Sequence, residues 1–139
     1  MKWIESVYVA SWFENAPVVG EVHERLLSVG LRPTSSWITV ANGAAEDFAL
    51  FTPERLRELA EQNDRDVGAA DALLVLAARG RGGEMFAEVR LALIWQKPVY
   101  WVGRRILSAY RHGVVLCEDI DDALALMLGR AAYARSTLA

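Results

Sequence analysis

Hydrophobic and polar positions fall into blocks along the chain, and most blocks have a readable period. Ser6 to Ala10 (SVYVA) is a short β-rich run that ends at Ser11, and a loop follows through Pro17. Val18 to Ser28 sets Val22, Leu26 and Leu27 on one helical face, keeps Glu21, Glu24 and Arg25 off it, and stops at Gly30. His23 reads as a surface residue of that helix. A strand is predicted at Leu31 to Ser35, then a long, partly ordered loop from Ser36 to Thr52, with Asn42-Gly43 as a turn and Trp37, Phe48 and Phe51 as anchors. Thr52 and Pro53 form an N-cap and first helical position, with Glu54 in the first turn, and open a helix to about Gly68.

Ala72 to Ala77 (ALLVLA) carries no polar group, as expected of a strand covered on both faces, and Arg79 to Gly83 (RGRGG) follows as a glycine-rich loop. A mostly apolar helix runs from Glu84 to Gln96. Strands follow at Val99 to Val102 and Gly113 to Cys117, and Asp119 caps a last helix that continues to about Ala134, with Asp121 and Asp122 at its dipole's positive end. Strands alternating with helices imply an α/β domain of the flavodoxin-like or Rossmann-like kind. We expect one doubly wound, five-stranded parallel sheet in the order 2-1-3-4-5, with one domain over residues 1–139. In such sheets ligands lie beyond the carboxyl ends of the strands, which points to Ala10 to Asn15, Arg79 to Glu88 and Gly103 to His112.

Composition narrows the picture. An apolar fraction of 53% with 24% charged residues fits a globular protein, and 139 residues can bury a single core. The net charge of −3 gives no general attraction for a polyanion, so binding to a nucleic acid polymer is not expected. No stretch approaches the roughly 20 apolar residues of a membrane span, so no membrane partner is expected. Cys117 stands alone, reads as an inert buried thiol, and fits a cytoplasmic setting. No Cys, His and acid spacing points to a metal, and no cofactor is expected.

Three of the segments together resemble the nucleoside 2-deoxyribosyltransferase-like family. Val7-Tyr8-Val9-Ala10-Ser11 resembles its opening strand, Ala70-Asp71 precedes the apolar strand, and Glu88-Val89-Arg90-Leu91-Ala92 stands nine residues before Lys97-Pro98-Val99. The resemblance covers roughly residues 6 to 103. It implies a glutamate nucleophile at Glu88 with Tyr8 beside it, cleaving or transferring at the N-glycosidic bond of a nucleoside or 5′-nucleotide. Substrate contacts are expected from Ser11, Trp12, Phe13, Asp64, Asp66, Arg79, Arg81, Gly82, Gly83 and Glu84. The sequence departs from the family at Arg90, where a small residue is usual, and at Asn63 and Gly82, where acids are usual. Those departures leave a non-catalytic nucleoside- or nucleotide-binding module as the alternative. Arg79 and Arg81, with backbone N–H groups at the next helix start, are suited to a phosphate.

The bland readings stand beside these. Glu84 and Glu88, four apart, suit a helix dipole whether or not they act on a substrate; Trp12 and Phe13 suit loop anchoring; Asp71 suits a structural cap; Arg104, Arg105, Arg111 and His112 suit a solvated loop. Met85, Phe86, Val89, Leu91, Leu93, Ile94 and Trp95 surround nearly the whole helix from Glu84 to Gln96. One sheet buries only one side of a helix, and relatives of the resembled family commonly assemble, so a homodimer or dimer of dimers is expected.

Overall fold

The computed structural model of the chain describes residues 3–39, 51–78 and 83–138, with side chains through residue 129. Val40 to Leu50 and the loop residues Arg79, Gly80, Arg81 and Gly82 lie outside the described residues, as do the Asn42-Gly43 turn and Phe48. Five strands, β1 (Ser6–Ala10), β2 (Arg32–Pro33), β3 (Ala72–Ala77), β4 (Val99–Gly103) and β5 (Val114–Cys117), form one parallel sheet in the order β2-β1-β3-β4-β5. The expected topology is the observed one. Every residue of β1 and β3 is buried, because helices cover both faces at the sheet centre.

Among the described residues, four full helices flank the strands: α1 (Ala16–Ser28), α2 (Pro53–Ala69), α3 (Glu84–Ile94) and α4 (Ile120–Leu138). An Arg25–Asp121 ion pair ties α1 to α4, while α2 and α3 pack together where Trp95 lies 3.4 Å from the place a Gly68 Cβ would occupy. Thr52 Oγ1 accepts the Arg55 N–H at 3.1 Å and Asp119 Oδ1 accepts that of Asp122 at 2.8 Å, so both expected caps are present. On α1, Val19, Val22 and Leu26 face the core, and Leu27 is exposed rather than on the buried face.

The element ends differ from the sequence reading for local reasons. A 3₁₀ turn at Phe13–Asn15 leads directly into α1, which starts two residues before Val18. Strand β2 is shorter than Leu31 to Ser35: Pro33 has no N–H, and beyond it the hydroxyl of Ser35, not a strand carbonyl, accepts the Val9 N–H at 3.0 Å. Helix α3 stops at Ile94 because Gln96 takes a left-handed φ of 59°, and Lys97 N–H bonds back to Ala92 O at 2.9 Å. Gly113 belongs to the turn before β5, at φ +96°.

His23 is half-buried, with Nε2 2.7 Å from Ser35 Oγ, and burial pushes its imidazole below the usual value. The expectation of a surface histidine is thus corrected. Asp71 Oδ2 accepts the N–H groups of Glu5 at 2.9 Å and Ser6 at 3.2 Å, which clamps the start of β1 to that of β3. Lys97 Nζ donates to Gly68 O at 2.7 Å and also to Ala70 O, placing a cation at the negative end of α2. Cys117 is a buried free thiol, as expected. Among the described residues, no helix is long and apolar enough to cross a membrane.

Candidate active site

Tyr8 sits in the middle of β1 and Glu88 one turn into α3. β1 and β3 are neighbours in the sheet and α3 follows β3, so the crossover brings the two residues together from opposite ends of an 80-residue separation. The Tyr8 hydroxyl donates a hydrogen bond to Glu88 Oε2. Both are buried, Tyr8 fully and Glu88 with 3% of its surface exposed. An ionised carboxylate is costly to bury, so burial raises Glu88 to about 8. The Tyr8 hydrogen bond opposes that shift, whereas the charges of Glu84, Asp64 and Asp66 add to it. Burial, and then the Glu88 carboxylate, hold the Tyr8 hydroxyl far above its ordinary value, so Tyr8 remains a neutral donor throughout the working pH range.

The other expected residues divide by what their polar atoms already do. Glu84 and Asp64 are exposed and act on Glu88 only through their charge. Asp66 is buried, and its carboxylate accepts from Ser36 N–H at 3.1 Å, from Ser36 Oγ and from Gln62 Nε2 at 2.8 Å. These contacts fasten the segment after β2 to α2. Ser11 Oγ donates to Leu76 O at 2.7 Å and accepts from Asn15 Nδ2 at 2.9 Å, which ties the carboxyl ends of β1 and β3 together.

Trp12 is buried and meets Phe86 edge-on, with centroids 6.3 Å apart. Phe13 is half-buried and tilted by 33° against Trp37, whose indole N–H donates to Val9 O at 3.0 Å. The aromatic residues thus frame the end of β1. Gly83 precedes α3 with an ordinary negative φ, and among the described residues a Cβ there would meet nothing. Arg90 is exposed, on the side of α3 away from Glu88, so a long cation fits where the resembled family has a small residue.

Ser35, Ser36, Gln62, Trp37 and Phe86 shape this region without having been singled out for it from sequence. Ser36 and Gln62 become relevant only when the turn after β2 meets α2. Trp37 reads as a loop anchor and Phe86 as part of the apolar circumference of its helix, and nothing in their spacing says which end of the sheet they face.

Neither a family model nor a curated protein matches the sequence. Comparison with solved structures finds the 2-deoxyribosyltransferase of the psychrotolerant bacterium Bacillus psychrosaccharolyticus, described as a biocatalyst for the synthesis of antiviral and antitumoral nucleosides. It superposes with a TM-score of 0.66 at 17% identity, over 85% of this chain and 89% of that one. The chain has the fold of a 2-deoxyribosyltransferase. The ABC domain in complex with L-Trp from Streptococcus pneumonia superposes with a TM-score of only 0.47 at 14% identity, over 97% of this chain and 40% of that one, too loosely to support an argument. Within the deoxyribosyltransferase fold the resemblance in sequence gains a physical frame: Tyr8 and Glu88, far apart in the chain, meet in a buried pair on neighbouring elements.

Proposed function

We propose that the chain cleaves or transfers at the N-glycosidic bond of a nucleoside or 5′-nucleotide, with Glu88 as nucleophile. The observation that carries this reading is the buried Tyr8–Glu88 hydrogen bond, on the strand and helix that the sequence resemblance singles out. Tyr8 holds Oε2, which makes Oε1 the attacking oxygen. Glu88 Oε1 attacks the anomeric carbon as the carbon–nitrogen bond breaks. The electron pair of that bond leaves with the base, which takes a proton, and an ester links sugar to enzyme. Water then gives free sugar, or a second base gives a new nucleoside, and the carboxylate returns.

Asp64 is the acid on the base side, since the carboxylate of Asp66 is already engaged by Ser36 and Gln62. Trp12 and Phe13 flank the base, and Ser11 holds the strand ends in register beneath it. Glu84 adds negative charge beside the nucleophile. Arg79, Arg81, Gly82 and Gly83 take the sugar or a 5′-phosphate. The protein works in the cytoplasm as a homodimer or dimer of dimers.

A second reading, a binding module without turnover, is favoured by the burial of Glu88: burial raises its carboxyl to about 8 and so favours the protonated form at neutral pH, and a protonated nucleophile does not attack. Incubation with a panel of nucleosides and 5′-nucleotides, with chromatography of the products, separates the two. Release of free base supports the enzyme. Binding across the panel with no base released supports the module.

A further inference from the structure

The two edges of the sheet are built differently. Edge strand β2 has two residues, one of them Pro33, and offers little backbone to a neighbour. Edge strand β5 has four, Val114–Cys117, with no proline, charge or bulge among them. Val115 and Leu116 point to opposite faces, yet are 40% and 42% exposed. The reason lies in the connection before β5. The links from β1 to β2, from β2 to β3 and from β3 to β4 each contain a helix, but the link from β4 to β5 contains only a 3₁₀ turn, Leu107–Tyr110. That turn buries Ala109 and leaves Leu107 87% and Tyr110 65% exposed beside the strand. Along it the Val114 N–H already donates to Arg111 O at 3.2 Å; an apolar edge otherwise left without a neighbouring strand is a template for pairing with another chain.

The charges at its ends identify the occupant. Arg111 and His112 stand immediately before β5, while Glu118 and Asp119 stand immediately after it, and all four are exposed. Among the described residues no ion pair engages Arg111 or Glu118, and Asp119 uses Oδ1 to cap α4. A strand that is basic before and acidic after is complementary to itself when two copies run antiparallel.

We infer that β5 is the contact between two copies of this chain, paired antiparallel about a two-fold axis so that the two sheets join into one. Opposed residues in an antiparallel pair share a face. A symmetric pairing is therefore centred on a residue. Centred on Val115, it sets Val115 against Val115 and Val114 against Leu116; centred on Leu116, it would set Val114 against Glu118. The first register keeps apolar against apolar and brings the basic turn of each copy to the acidic stretch of the other. Leu107 and Tyr110 widen the contact beyond the strand. This contact is independent of α3, where the Trp95 ring already lies against Gly68, and Phe86 against Trp12.

The register can be tested directly because a residue on the axis meets its own copy. In the full chain with Cys117→Ser, Val115→Cys is oxidised mildly and run on a non-reducing gel beside Ile94→Cys in the same background. Opposed Cα atoms lie about 4.5–5.5 Å apart, within disulfide reach. Covalent dimer from Val115→Cys, and little from Ile94→Cys, is the expected result. Sedimentation of the charge variants follows: His112→Glu, set against Glu118, lowers the dimer fraction, and His112→Glu with Glu118→Arg restores it. A parent that sediments as a monomer at tens of micromolar, a dimer that Val115→Cys does not trap, or a double variant no better than the single one would each overturn the inference.

Discussion

Tyr8 and Glu88 share one hydrogen bond in the core, and neither has water to turn to if the other is lost. A buried carboxyl left without its donor bears the full cost of desolvation. Replacing Tyr8 by Phe keeps the ring and removes only the hydroxyl. We expect Tyr8→Phe to lose roughly 1–3 kcal/mol in urea unfolding, and to move the rise of kcat/KM with pH to a more alkaline value, because the hydrogen bond is what holds Glu88 down. An unchanged pH profile would remove Tyr8 from the control of Glu88.

Glu88 also sets how stability varies with pH. Below about 4.5 its carboxyl is protonated in folded and unfolded chains alike; between that value and about 8 the unfolded chain ionises while the folded one does not. The unfolded state then binds fewer protons, so this residue reduces stability progressively as pH rises through that window and by a constant amount above it. Glu88→Gln removes the effect. Its gain over the parent is expected to grow between pH 5 and pH 8.5, by an amount on the order of a few kcal/mol. Thermal melts at the two pH values check the sign, and a gain that shrinks toward alkaline pH would contradict the burial argument.

Lys97 was recognisable as part of a Lys-Pro-Val run, and the structure gives that run a mechanical role. Its ammonium closes the carbonyl end of α2 while Pro98 leads into β4. Lys97→Met keeps the stem and deletes the charge. A loss of roughly 1–3 kcal/mol is expected, with binding of a nucleoside unchanged once the protein is folded. Calorimetry on the folded variant distinguishes this from a role in the site, which would weaken binding as well.

Phosphate recognition separates nucleotide from nucleoside substrates. If Arg79 and Arg81 receive a 5′-phosphate, each changed to Ala costs roughly 1–3 kcal/mol of nucleotide affinity and leaves nucleoside affinity intact. Equal losses for both ligands would instead indicate a role in folding.

Topology was legible because strands and helices alternate along the chain: the uninterrupted ALLVLA run is what a strand covered on both faces requires, and Thr52-Pro53 and Asp119 announce helix starts through local chemistry. The Tyr8–Glu88 pairing was legible only through resemblance to a family, since no local rule links residues 80 apart. That Asp64 is exposed while Asp66 is buried and bonded was not legible. Both look like acids on one helix, and only the approach of Ser36 and Gln62 shows that Asp66 is occupied. The end of β2 was hidden for a similar reason, since nothing in Thr34-Ser35 announces that a side-chain hydroxyl replaces the strand's next acceptor.

The account stands or falls on Glu88 as the attacking group. Carboxyl and amide have nearly the same shape, so Glu88→Gln should fold and bind nucleoside like the parent while losing the oxygen that forms the ester. On whichever nucleoside or nucleotide the parent cleaves fastest, the decisive measurement is the rate of base release by Glu88→Gln at pH 8.5, followed by chromatography. A fall of about 10³-fold or more with ligand affinity retained is the predicted result; a rate within a few-fold of the parent would contradict the claim.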